Sequence, residues 1–191
     1  GRMALIRQTL LDASWNREAW TAYRNEPEGQ KAPDVDLALA SLEPLVTGRI
    51  PAVFDAPDPL DLFRASAIAR EHNLAAIFRG SGAEYRRVEA MKKTGVRIIL
   101  PLDFPEAPDV STDEVSLREL RHWDFAPENP AHLSKAGVDF ALTTDGLENI
   151  DMFLKNLRTA VRRGLSPDRA LASLTTIPAG WLGLSNSIGT L

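Results

Sequence analysis

An α/β fold of parallel βα repeats is what this 191-residue sequence predicts, on three observations. Short apolar runs of strand length begin near residues 51, 74 and 96, a spacing of about 22, and a fourth runs from 138 to 144. An amphipathic helical stretch follows each of the first three, as crossover connections between parallel strands require. The runs are continuously apolar rather than alternating, which suits strands of a parallel sheet buried on both faces.

Residues 3–23 place Met3, Ile6, Leu10, Ala13, Trp20 and Tyr23 on one helical stripe, so the chain should open with a long amphipathic helix. Arg24 to Asp34 carries Pro27, Gly29 and Pro33 and reads as a loop. Val35 to Val46 presents Leu39, Leu42, Leu45 and Val46 as a second helix, stopped by Gly48. Strand character begins with Pro51–Ala56, and Asp58 and Pro59 start a helix to about Asn73 with Leu62, Phe63, Ala65, Ile68 and Ala69 inward. Leu74–Phe78 is the second strand, followed by a helix over about 83–94, and Val96–Leu102 is the third. A long excursion over roughly 103–128 contains a helix-like patch at Asp113–Trp123. A short helix at 130–136, stopped by Gly137, leads into the strand Val138–Thr144. Helices at about 150–163 and 167–175, the second with Ser166 as cap and Pro167 at its first position, and a last helical turn at 178–182 close the chain. One domain is expected: leading helices over 1–48, strands and connections over 49–148, closing helices over 149–191. Four such strands fit a small doubly wound sheet and fit half of an eight-stranded barrel equally well. No Gly-rich dinucleotide fingerprint follows any strand, which weakens the first.

Composition narrows the partners. A net charge of −4 and a pI near 5.4 oppose nucleic-acid binding, which needs a cationic surface. Neither a membrane-spanning apolar run nor a signal-peptide pattern is present, so no membrane partner is expected, and a soluble protein of cytoplasm or periplasm is. Without cysteine there is no disulfide, no thiolate chemistry and no cysteine metal ligand. A start at Gly1–Arg2, with Met3 inside a helix, suggests a segment of a longer protein.

In parallel βα folds the reactive groups gather at the C-terminal ends of strands. Those ends carry Asp55, Arg79, Asp103 and Asp145. An aspartate there commonly caps the next helix or turn, and four charged groups on one mouth are the competing reading. The histidines build no metal site: His72 sits at a helix end, His122 and His132 in the helical excursion, and neither HxH nor HExxH occurs. GxSxG and GxxxxGK[ST] are also missing. Trp15, Trp20, Trp123 and Trp181 are spread singly through helices, as core or interface anchors.

The run Ala141–Gly146, then Asn156-Leu-Arg158, Ala160-Val161, Gly164–Pro167, Ala170-Leu171, Leu174-Thr175, Pro178-Ala179 and Leu182-Gly183, resembles the end of the amidohydrolase superfamily barrel. It is most similar to the imidazolonepropionase-like branch. Pro51–Ala56, Ala69–Leu74 and Arg79–Tyr85 resemble that barrel's fifth and sixth strand regions, and Met3–Ala13 a helix before them. The resemblance implies a partial, half TIM barrel of about four strands. It puts the family's single eighth-strand aspartate, metal ligand or proton shuttle, on Asp145 as the catalytic residue. The fifth-strand histidine falls on Asp55 and the sixth-strand histidine on Arg79, both departures. Asp55, Arg79 and Asp103 are thus expected as mouth-lining residues, and no residue of this chain as a metal ligand. The family implies a divalent, zinc-type metal; none is expected for this chain, because the Arg79 guanidinium can take its place against Asp55 or Asp145.

Two readings follow from the resemblance. One is part of a metal-dependent hydrolase of C–N bonds in amides or cyclic amides. The other is a non-catalytic half-barrel that completes an adjacent active domain; a small-molecule binding module is a third. The implied partners are the rest of the parent chain, an N-terminal half-barrel and a β-sandwich, and self-association is expected when this part stands alone.

Overall fold

The structure is a computed structural model describing residues 1–108 and 115–190. The chain packs as two compact units, one formed by Gly1–Ala52 with Ser66–Ala76, the other by Val53–Ala65 with Ile77–Leu191.

In the first unit, α1 runs over Arg2–Asn25 and buries Leu10, Ala13 and Asn16. Those positions recur at three-residue steps on one face, as a helical stripe does. Trp15 points the other way and is 69% exposed, so it is no core anchor. The single helix expected over 35–46 is two: α2, Leu37–Ser41, and α3, Glu43–Val46. Pro44 is the reason. It has no N–H to donate, and its ring would strike the carbonyl of Ala40 in a continuous helix. Asp36 caps α2 by accepting the Leu39 N–H at 3.0 Å. Arg7 of α1 pairs with Glu71 at 2.6 Å within the same unit.

Four strands in the order of the chain form one sheet: β1, Ala52–Asp55; β2, Ala76–Arg79; β3, Arg97–Pro101; β4, Asp139–Thr143. β2 and β3 are parallel, as are β3 and β4. β1 has the same sense, because the Ala52 and Ala56 N–H groups donate to Ala75 and Arg79 in ascending order. This is the α/β class that the spacing predicts, and α4, Pro59–Glu71, is its first crossover helix.

Register puts Phe78, Ile98 and Phe140 on one face, all 3% exposed or less, with Ile98, Leu100 and Leu102 fully buried. Phe54 stacks on Phe78 at 5.6 Å, adding β1 to that layer. The helices α5, Val88–Thr94, and α7, Asn129–Ala136, bury Met91 and Leu133. Each ends at a left-handed glycine, Gly95 (φ 62°) or Gly137 (φ 74°). The opposite face is buried at Ile77 and Ala141 and opens at the edge strand, where Val53 is 62% exposed. β1 is an edge strand with one neighbour. β4 is not left bare, since its Leu142 N–H donates to the Ser173 carbonyl.

The 83–94 helix begins instead as a 3₁₀ turn, Glu84–Arg87, because Glu84 folds back on Ser81. In the excursion, α6 spans Leu117–Phe125, with Ser116 and Glu119 as a reciprocal capping box. Asp113, where a helical patch was expected to begin, lies outside the described residues. The chain closes with α8, Met152–Arg162, α9, Pro167–Ala172, capped by Ser166, and α10, Thr176–Trp181.

Candidate functional site

Parallel strands of similar length end on one side of a sheet, and their last residues meet there. Asp55 is the last residue of β1 and Arg79 the last of β2. Asp103 follows β3, and Asp145 follows β4. The Arg79 Nε donates to Asp55 Oδ1 at 2.9 Å, and its Nη1 donates to Asp145 Oδ2. One planar guanidinium therefore spans from β1 across β3 to the loop after β4, using two edges of its donor fork. The Asp145 N–H donates to Thr143 Oγ1 at 3.2 Å, which shapes the turn beneath the carboxylate.

Asp103 stands outside this pair of bonds. Its carboxyl lies against Gly146: a Cβ there would come within 2.9 Å of Asp103 Oδ2, and Gly146 has φ +85°. Burial against that backbone raises the Asp103 pKa above its ordinary value, and the carboxylates of Glu148 and Asp145 add to the rise. Arg79 is shifted upward, first by its hydrogen bond to Asp55, then by the charges of Asp145 and Asp55.

The bridge is open to solvent, with side chains of Arg79, Asp55 and Asp145 exposed by 41%, 65% and 46%. Water screens such pairs, so they orient side chains more than they stabilise the fold.

The donor set does not fit a divalent cation. A cation would have to displace Arg79 from Asp145 Oδ2, and it would meet the guanidinium's own positive charge. Among the described residues no group of three or more His, Asp or Glu side chains is placed to hold a metal ion. His132 lies beside Glu128 at 3.6 Å, and His122 is carried by α6.

The loop after β2 also carries a buried polar cluster that the sequence reading passes over. Glu84 is 1% exposed, and its Oε1 accepts the Ser81 N–H (2.5 Å) and hydroxyl (3.1 Å). Its Oε2 accepts from the Asn129 amide (2.7 Å), whose Oδ1 accepts the Tyr85 N–H (2.6 Å). Every oxygen of this carboxylate is satisfied, as burial of a charge demands. The lone sequence signal was an acidic residue just past a Gly-Ser-Gly turn. The capping box, by contrast, is legible as Ser116-Leu-Arg-Glu119.

No family model matches the chain, and no curated protein matches it. Among solved structures, an amidohydrolase from Thermotoga maritima MSB8 matches with a TM-score of 0.75 at 24% identity, over 100% of this chain and 47% of that one. The chain spans about half the length of that protein. The likeness shows the fold: four parallel strands flanked by helices, arranged as in part of an amidohydrolase.

Proposed function

We propose that this chain is a half-barrel of amidohydrolase type whose strand-end carboxylates are bridged by Arg79 instead of a divalent cation. Its role is to complete and brace an adjacent active half rather than to carry hydrolysis itself. The observation that supports this is the single guanidinium bonded to both Asp55 and Asp145. Two carboxylates at one mouth need a counter-charge, and an arginine supplies it without dissociating. The remainder of such a barrel is the expected partner. On its own, the chain is expected to pair with a second copy through the exposed edge and face of β1, where Val53 stands open.

A second reading, hydrolysis of amide or cyclic-amide C–N bonds by the longer protein, draws its support from the likeness to an amidohydrolase over the whole chain. Asp145 is then the group that moves a proton, once its Arg79 contact is released. The metal ligands for that chemistry would have to come from outside this chain.

Calorimetric titration of the purified chain with zinc and manganese tests the first reading. The first reading expects no saturable heat at micromolar metal, for the native chain and for Arg79→Met alike. Micromolar binding by the native chain, or metal-dependent amide hydrolysis by it alone, would overturn it. Light scattering at dilute concentration showing a clean monomer would remove the self-pairing.

A further inference from the structure

The loops after β1 and β2 and the start of α6 line an open cleft of about 440 Å³ that the Arg79 bridge does not use. Two helices begin at its wall, α4 at Pro59 and α6 at Leu117, so both turn their positive dipole ends toward it. Arg86 and Arg118 line it with Ser81 and His122. Its two carboxylates are already committed to helix ends. Asp58 Oδ1 accepts the Leu60 N–H at 2.7 Å, and Glu119 Oε2 accepts the N–H and hydroxyl of Ser116 at 2.8 and 2.6 Å. Among the described residues, neither Arg86 nor Arg118 is in an ion pair. Two guanidinium groups thus line the same opening, in a chain whose net charge is −4.

A second, broader cavity of about 840 Å³ shares Arg86 and Arg118 with the first. Its other walls are Leu117, Tyr85, Phe125 and Arg121. Tyr85 is the hinge between the two: its ring stacks on Phe125 at 5.8 Å and on His122 at 6.1 Å, with Arg86 5.5 Å above it. Its hydroxyl accepts from Arg86 Nε at 3.2 Å and lies 3.3 Å from His122 Nδ1. Charge and ring surface lie side by side, which is how a site takes a ligand with an anionic head and a flat apolar body.

We propose that these joined cavities bind a small aromatic anion, its carboxylate or phosphate held between Arg86 and Arg118 and its ring laid along Leu117, Tyr85 and Phe125. His122 reports on the charge. Its pKa lies below the ordinary value because of burial first, then Arg86 and Arg118, with Glu84 pulling the other way. Among the described residues, the charged and titratable groups around it are Glu84, Tyr85 and Arg86 from the loop after β2, Asp58 at the start of α4, Glu106 after β3, and Arg118, Glu119 and Arg121 on α6. An anion seated between the arginines offsets their repulsion, so binding raises the His122 pKa.

The test is an NMR titration of the His122 imidazole in the whole chain with benzoate, phenyl phosphate, inorganic phosphate and, as a cationic control, benzylamine. Saturable binding of benzoate or phenyl phosphate with a raised His122 pKa is expected, and the tighter of the two identifies the head group. Arg118→Gln should weaken it about tenfold or more, the loss of a charge-assisted contact. Arg162→Gln on α8 should leave it unchanged. The proposal is independent of the Arg79 bridge, so Arg79→Met should also bind normally. Absence of saturable binding, equal weakening by Arg162→Gln, or benzylamine binding as well as benzoate would each overturn it. So would inorganic phosphate binding as tightly as phenyl phosphate, which would mean an adventitious ion only. If Arg118→Gln fails to fold, the native chain with its benzylamine control decides alone.

Discussion

Arg79 and Glu84 lie a few residues apart at the end of β2 and in the loop it feeds, yet they anchor charged clusters of opposite character. Arg79 bridges Asp55 and Asp145 in the open, where each partner keeps much of its hydration. Glu84 is sealed from water, and its carboxylate is held by Ser81 and Asn129. The difference teaches where stability and where adjustability reside in this loop. A solvated bridge can be exchanged for another partner at small cost, because water takes up whatever is released. A buried one cannot, since each stranded donor loses its partner and gains no solvent.

Four substitutions test that contrast. Glu84→Ala should have the largest effect, about 2–4 kcal/mol in urea unfolding, because it strands the Ser81 N–H and the Asn129 amide and leaves a void. Glu84→Gln should recover only part of that. Its new amide would face the Asn129 amide, and turning Asn129 over would break the bond to the Tyr85 N–H. Next comes Gly80→Ala, where the new Cβ would lie 2.6 Å from Glu84 Oε1 and 3.0 Å from Ile98 Cγ2. We expect about 1–3 kcal/mol for this overpacking. Arg79→Met should shift the unfolding midpoint by less than either. A loss as great as that of Glu84→Ala would break the comparison, since it would make the exposed bridge as costly to open as the buried one.

The smallest effect is a pH dependence. The folded-state pKa of Asp103 is raised from its ordinary 3.8 by burial and by the Glu148 and Asp145 carboxylates. A raised pKa means the folded chain holds that proton more tightly than the unfolded one. Its stabilising contribution is complete below pH 3.8 and is lost as pH rises through the folded value. Asp103→Asn should therefore be more stable than the native chain near neutral pH, with the advantage vanishing in acid. Melting curves at pH 3 and pH 7, taken as about the two ends of that window, check the sign. An advantage that grew toward acid would show that Asp103 is held as a stabilised anion.

How much of this was legible differs from element to element. The strands could be read because an apolar run between turn residues has few other uses in a chain of this kind. Asp55, Arg79 and Asp145 could be read as a group because parallel topology delivers strand ends to one side. The break at Pro44 is legible as well, since its missing N–H outweighs the apolar stripe around it. Glu84 and Asn129 were not, because their bond joins residues 45 positions apart. Nor were Arg86, Arg118 and His122, which share a cavity only once the loop after β2 and α6 are packed.

Local chemistry, then, determined the order of helices and strands, the caps at Asp36, Ser116 and Ser166, and the residues carried to each strand end. Periodicity and capping act over a turn or two, and the sequence displays them directly. Tertiary packing alone decided which charges face water, which carboxylate is enclosed, and which arginines share an opening. Those outcomes depend on how loops distant along the chain fold over one another, and no local pattern encodes the distance between them.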